Sequence, residues 1–203
     1  MNLSQPPMTC IACSIFRKEI EHLHAESRLG MQLRFLSSML HMAPEVLEQR
    51  IQEAVAEERA LGHGIVLAFG DCCPNMTGIG SVQGIGRTAG CNCLEILLGR
   101  EAYRKLRREG VFFLLPEWVL KWRSVFQVTL GLQGKIAQDF MKEMHTRLVY
   151  LDTGLVPVPE TELAEVSAYF ALPVERMAVS MGLLLDSLRT AAQRGAAPGI
   201  SHG

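Results

Sequence analysis

Hydrophobic residues along this chain alternate between short apolar runs and stripes at helical spacing. The run from Met8 to Cys13 predicts a first strand, and the run from Gln32 to Leu36 predicts a second. Segment 64–70 is bounded by glycines and rich in β-forming residues, which predicts a central strand. Three more strands are predicted downstream, at Val111 to Leu115, Arg147 to Leu151 and Arg176 to Ser180.

Helical patterns separate these runs. Leu47, Ile51 and Val55 recur at helical spacing in one segment, and the stripe Ile136, Phe140 and Met144 marks another. Segment 71–90 holds a proline and five glycines, and we predict a loop region there. Strands that alternate with helices predict the α/β class, with a Rossmann-like, mostly parallel sheet flanked by helices.

The length and charge of the chain narrow the class of protein. The 203 residues predict one α/β domain over residues 1–192 and a disordered tail at 193–203. Lys and Arg total 20 against 21 Asp and Glu, so no global field favours nucleic acid or an anionic membrane as a partner. Without a signal-like N-terminus or a long apolar run, a cytoplasmic protein is expected, and homo-oligomers are compatible with it.

Six cysteines carry the candidate chemistry, and they fall in three close pairs: Cys10 and Cys13, Cys72 and Cys73, Cys91 and Cys93. Thiols in a reducing compartment seldom form structural disulfides, which favours metal-binding or reactive cysteines. Cys13 ends the first predicted strand, Cys72 follows the central strand, and Cys93 follows the glycine-rich loop. Because ligands bind beyond the carboxyl ends of parallel strands, these three thiols are predicted to share one metal site.

Thiolate donors select zinc or an iron-sulfur cluster over magnesium or calcium. The predicted cofactor is an iron-sulfur cluster of the 4Fe-4S type, with zinc as the alternative. Three cysteines leave one coordination position of the metal open. The residues expected to line the site are His41, Asp71 and Asn92. The remaining thiols are candidate additional ligands, although small cysteines also pack well in α/β cores: Cys10, Cys73 and Cys91.

Two other functions compete with a metal site. The spacing of Cys10 and Cys13 is that of thiol-disulfide oxidoreductases, although there the motif opens a helix and here it falls in a predicted strand. A non-catalytic accessory protein, with cysteines that are purely structural, is the third hypothesis.

Six motifs, in a fixed order, carry a family resemblance: segments 11–16, 39–44, 69–72, 93–99, 111–118 and 148–154. They resemble the domain-of-unknown-function family 1638, from about Cys10 to Leu188. The resemblance implies a cysteine in each of three motifs, and these fall on Cys13, Cys72 and Cys93. Here Cys73 replaces a common glycine of the family, and Asn92 replaces a common Asp or His.

The family occurs in anaerobic bacteria and methanogenic archaea, often near corrinoid-dependent methyltransferase genes. The resemblance therefore implies a role in anaerobic one-carbon or corrinoid-dependent methyl metabolism. It also implies a corrinoid protein or a methyltransferase as partner. No established reaction comes with the family, so gene neighbourhood indicates an association and no mechanism.

Overall fold

The computed structural model describes residues 7–196 of the chain. These residues form two compact units, one made of Leu98–Ser180 and the other made of the chain on either side of that segment. Each unit contains a parallel sheet with helices, which confirms the α/β class. The strands are divided between two sheets, whereas their pattern predicts one. A single domain over residues 1–192 stays a prediction.

The first unit contains a four-stranded sheet of order β2-β1-β3-β4, in which all neighbours are parallel. Its strands are β1 (Met8–Cys13), β2 (Gln32–Leu36), β3 (Gly64–Ala68) and β4 (Ile85–Arg87). Its helices, numbered along the chain, are α1 (Arg17–Ala25), α2 (Pro44–Ala60), α3 (Met76–Gly80), α4 (Cys93–Leu98) and α9 (Gly182–Gly195). Short 3-10 segments follow β1 at Ser14–Phe16 and β2 at Ser38–Met42.

Strands β1 and β3 lie in the middle of this sheet and form its core. Every residue of β3 is buried, as is every residue of β1 after Met8. Such continuous apolar strands are typical of parallel sheets that are covered on both faces. The three strands predicted in this part of the chain are confirmed.

The prediction of a loop over residues 71–90 is wrong for two short elements, α3 and β4. Strand β4 contains Gly86, a poor strand former, yet it pairs with β3 in register from Ile65↔Ile85 to Leu67↔Arg87. A side chain at Gly86 would collide with the Ala191 carbonyl of α9. Tertiary packing therefore overrides local propensity here, because only glycine lets the helix backbone lie this close to the strand.

Helix α9 runs to Gly195, so residues 193–195 of the predicted tail are helical. The end of this helix lies close against the sheet, since an added Cβ at Gly64 would lie 2.6 Å from the Gly195 oxygen. Residues 197–203 of the predicted tail lie outside the described residues.

A polar network lies at the amino-terminal end of β1 and β3. The buried carboxylate of Glu58 accepts hydrogen bonds from Thr9 Oγ1 and from His63 Nδ1, both at 2.8 Å. Glu57, the preceding residue on α2, is exposed and pairs with Arg34. The network satisfies a carboxylate that would otherwise be costly to bury.

The second unit contains a parallel sheet of order β5-β6-β7. Its strands are β5 (Val111–Leu114), β6 (Arg147–Asp152) and β7 (Val174–Ala178). Its helices are α5 (Arg100–Arg108), α6 (Pro116–Leu120), α7 (Gly134–Met144) and α8 (Glu160–Phe170). A π-helical segment, Arg123–Thr129, follows α6. Aromatic and aliphatic side chains form the core of this unit, in which Phe126, Tyr150 and Phe170 are fully buried.

Helix α7 forms where its apolar stripe predicts it, but the stripe faces outward. Ile136, Phe140 and Met144 are 82%, 49% and 55% exposed, whereas Ala137 and Met141 are buried. At the end of β6, Asp152 is buried and accepts hydrogen bonds from the Gly154 amide and the Arg176 guanidinium. Among the described residues of both units, no helix combines the length and apolar character needed to cross a bilayer.

Candidate metal centre

Four side chains meet at the carboxyl ends of the sheet in the first unit, one from the chain that follows each strand. Cys13 is the last residue of β1, and His41 lies in the 3-10 segment after β2. Cys72 follows β3 by four residues, and Cys93 begins α4 after β4. All four strands run in the same direction, so the loops that follow them lie together at the carboxyl end of the sheet. These residues, distant in sequence, therefore converge there.

The donor atoms of Cys13, His41 and Cys93 all lie within 4.8 Å of one another. His41 Nε2 is 3.5 Å from Cys13 Sγ. Cys72 lies outside this set of three but hydrogen bonds to both Cys93 and His41. The structure therefore brings together all three cysteines that the sequence predicts as ligands, and it adds His41 as the fourth donor.

The four groups strongly perturb one another. Hydrogen bonding from Cys93, helped by His41 and opposed by burial, lowers the pKa of Cys13 to about 6. The same two partners lower the pKa of Cys72 to about 5. Hydrogen bonds to Cys13 and then Cys72 raise the pKa of His41 to about 10, despite its burial. The cluster thus stabilises two thiolates beside an imidazolium.

Cys93 is the exception among the three thiols. Its hydrogen bonds to Cys13 and Cys72, followed by burial, raise its pKa well above the ordinary value. The start of α4 favours a thiolate at Cys93, but its two thiol neighbours override that effect. Between two thiolates, a third negative charge is unfavourable, so the protonated form of Cys93 is favoured.

Backbone contacts hold the loops that carry Cys72 and Cys93 against each other. The Asp71 amide donates to the Cys91 carbonyl at 2.9 Å. An added Cβ at Gly70 would lie 2.6 Å from the Asn92 nitrogen and 2.7 Å from the Cys91 oxygen. Sequence reasoning missed the importance of Gly70, although a glycine directly between a strand and a predicted ligand is a signal of close backbone approach.

A second link joins the loops that carry Cys13 and His41. The Ser38 amide donates to Ser14 Oγ at 2.8 Å, across the ends of β1 and β2. Ser37 Oγ accepts from the Met39 amide and so begins the 3-10 segment that contains His41. Local hydrogen bonds of this kind fix the path of the chain on either side of a ligand.

The two other residues expected to line the site have different partners. The Asp71 carboxylate is exposed and pairs with Arg87. Asn92 Oδ1 accepts from the Glu95 amide at 2.9 Å, so Asn92 caps α4 at the residue before Cys93. Asn92 thereby positions a donor without being one of the four.

The three additional thiols are also outside the cluster. Cys10 is completely buried inside β1, and burial raises its pKa to about 12. Cys73 is buried, and its pKa is likewise raised by burial. Cys91 is exposed, and its thiol donates to Glu95 Oε2 at 2.8 Å. Each of the three therefore has a local structural explanation.

A family model described as "Protein of unknown function (DUF1638)" matches residues 35–188, about three quarters of the chain. The chain belongs to this family. His41, Cys72 and Cys93 lie inside the matched segment, and Cys13 precedes it. No curated protein and no solved structure matches the chain.

Proposed function

We propose that this DUF1638 protein binds a single zinc ion through Cys13, His41, Cys72 and Cys93. The proposal is supported by the convergence of four donors, three thiols and one imidazole, at the carboxyl ends of the four strands of one sheet. Three cysteines and one histidine are a common ligand set of structural zinc sites. Because four protein donors complete a tetrahedral shell, the ion would tie together the ends of all four strands.

The spacing of the donor atoms supports a single ion. Zinc bonds of about 2.3 Å to sulfur and about 2.0–2.1 Å to nitrogen, at tetrahedral angles, place a nitrogen and a sulfur about 3.5 Å apart. The same bonds place two sulfurs about 3.8 Å apart. The observed 3.5 Å between His41 Nε2 and Cys13 Sγ agrees with the first value. The 4.8 Å limit on the three-donor set accommodates the second.

The predicted iron-sulfur cluster is the second candidate. It is supported by the thiol-rich donor set and the strand-end position, which suit both metals. A cluster contains several iron and sulfide atoms, so thiolates bound to different irons stand further apart than ligands of one ion. The close spacing of the Cys13, His41 and Cys93 donors therefore favours zinc. A role in corrinoid-dependent methyl metabolism, with a corrinoid protein or methyltransferase as partner, stays a prediction.

The thiol-disulfide alternative has less support. Cys10 and Cys13 are three residues apart in one extended strand, which separates their Cα atoms by about 10 Å. A disulfide needs Cα atoms within about 7 Å. The buried Cys10 thiol, with its raised pKa, is also a poor nucleophile.

Elemental analysis of protein purified without oxygen tests the proposal. We expect about one zinc per chain, with neither iron nor sulfide, since the site has one full set of donors. His41→Ala and Cys13→Ser each remove a donor, and both are expected to lose most of the zinc. Cys91→Ser is the matched control, because Cys91 is a neighbouring exposed thiol outside the cluster.

Three outcomes of that experiment have distinct meanings. Iron together with sulfide in a coloured protein would select the cluster over zinc. Folded wild-type protein that contains no metal and takes none up would refute both metal proposals. Loss of zinc from Cys91→Ser to the same extent as from Cys13→Ser would show that the ligand set is misassigned.

A further inference from the structure

The three clustered cysteines differ in how far solvent reaches them. Cys13 and Cys93 are buried, at 1% and 9% exposure, whereas Cys72 is only half-buried. A water-soluble oxidant therefore meets Cys72 first. Susceptibility of a thiol to oxidation follows its access as well as its thiolate character.

A second thiol lies within reach of Cys72. Cys93 hydrogen bonds to Cys72, so the two sulfur atoms are in contact. The loops that carry them are also in contact, through the Asp71 amide and the Cys91 carbonyl. Contact between the sulfurs and between the two loops brings the pair close enough for a disulfide to be considered.

We propose that Cys72 is an oxidation site, where a hydroperoxide starts the formation of a Cys72–Cys93 disulfide that releases the zinc ion. The inference rests on the proposed zinc site and adds its regulation. A disulfide removes two of the four donors at once and leaves Cys13 and His41, which alone hold zinc weakly. The centre would then report the oxidation state of its surroundings.

The reaction balances with hydrogen peroxide as the oxidant. The Cys72 thiolate attacks one peroxide oxygen, the O–O bond breaks, and Cys72 becomes a sulfenic acid as hydroxide leaves. The Cys93 thiolate then attacks the Cys72 sulfur, the S–O bond breaks, and a second hydroxide leaves. Each sulfur loses one electron and the peroxide gains two. The two hydroxides take protons from solvent, and zinc enters solution.

The test treats zinc-loaded wild-type protein and Cys91→Ser with one equivalent of hydrogen peroxide. Zinc release is followed with a chromophoric chelator, and the disulfide is mapped by mass spectrometry without reduction. We expect about one zinc released per disulfide, a Cys72–Cys93 linkage in both proteins, and release rates within about twofold of each other. Reduction with added zinc is expected to restore the loaded form.

Several results would overturn the inference. Zinc that stays bound under peroxide would refute it and leave the proposed zinc site intact. A linkage that maps to Cys13–Cys93 or to Cys91, or release that slows more than about tenfold in Cys91→Ser, would show that Cys72 is not where oxidation starts. Wild-type protein that holds no zinc before treatment would instead refute the proposed function itself.

Discussion

Gly70 is the position where a single methyl group is expected to disturb the metal centre most selectively. Gly70→Ala places a Cβ 2.6 Å from the Asn92 nitrogen and 2.7 Å from the Cys91 oxygen, while ordinary contact begins at 3.4 Å. The shortfalls are 3.4 − 2.6 = 0.8 Å and 3.4 − 2.7 = 0.7 Å. The Asn92 Cα lies closer still, and all three obstructing atoms belong to the backbone, so one of the two ligand loops has to move.

A shift of that size exceeds what the coordination geometry tolerates. Ligand distances in zinc sites hold to within about 0.2 Å. We therefore expect Gly70→Ala to weaken zinc binding about 10–100-fold, the usual effect of disturbing the groups that support metal ligands. Overpacking is also expected to lower the free energy of unfolding by about 1–3 kcal/mol.

Zinc affinity is measured by competition with a chelator, and the unfolding free energy of the metal-free protein by urea titration. Gly30→Ala is the matched control, because nothing lies within 4 Å of an added Cβ at Gly30. That variant is expected to bind zinc like the wild type. Wild-type zinc affinity in Gly70→Ala would refute the claim that the packed loops position Cys72 and Cys93.

Three further predictions concern stability away from the metal centre. Glu58→Ala removes a buried carboxylate and leaves its hydrogen-bond partners unsatisfied, so the free energy of unfolding in urea is expected to fall by about 2–3 kcal/mol. Glu57→Ala, at the exposed neighbouring residue, is expected to lower it by less than about 1 kcal/mol. Equal losses would contradict this account. The Gly154 amide, and then Arg176, lower the pKa of Asp152 below its unfolded value. The stability that the Asp152 carboxylate contributes is therefore present above its unfolded pKa and is lost as the pH falls through its folded pKa. Asp152→Asn is expected to be destabilised by about 1 kcal/mol near pH 7, and the difference from wild type should shrink towards pH 3. A difference independent of pH would refute it. Ile136→Asp is expected to change the unfolding free energy by less than about 0.5 kcal/mol, since its side chain is 82% exposed, and a loss above about 2 kcal/mol would show that the α7 stripe is buried.

The sequence located the central strands and the three clustered cysteines because the strand pattern and the cysteine positions indicate the same end of the sheet. A continuous apolar run such as 64–68 predicts a buried parallel strand. A cysteine just beyond the end of that strand is then expected at the carboxyl end of the sheet, where ligands bind. His41 was named as one of three residues lining the site. Choosing it over Asp71 and Asn92 required the structure, since those two side chains find Arg87 and the start of α4 instead.

Other features depend on contacts that no local pattern encodes. Strand β4 has three residues, one of them Gly86, and it exists because β3 pairs with it and α9 packs on it. The stripe on α7 predicts the helix correctly but not its buried face, since Ala137 and Met141 offer an equally regular apolar row. The distance between two sulfur atoms likewise has no counterpart in sequence spacing, so the sequence alone does not distinguish zinc from a cluster.

The position of the four donors also bears on how metal binding and folding are related. In small zinc domains the ion supplies the folding energy, because little core exists without it. Here the donors follow β1, β2, β3 and β4, and the two central strands are buried almost throughout. The links between donor loops, Asp71 to Cys91 and Ser14 to Ser38, are hydrogen bonds that need no metal. The sheet therefore already brings the donors together, and the proposed zinc ion would add stability through its binding energy at that assembled site.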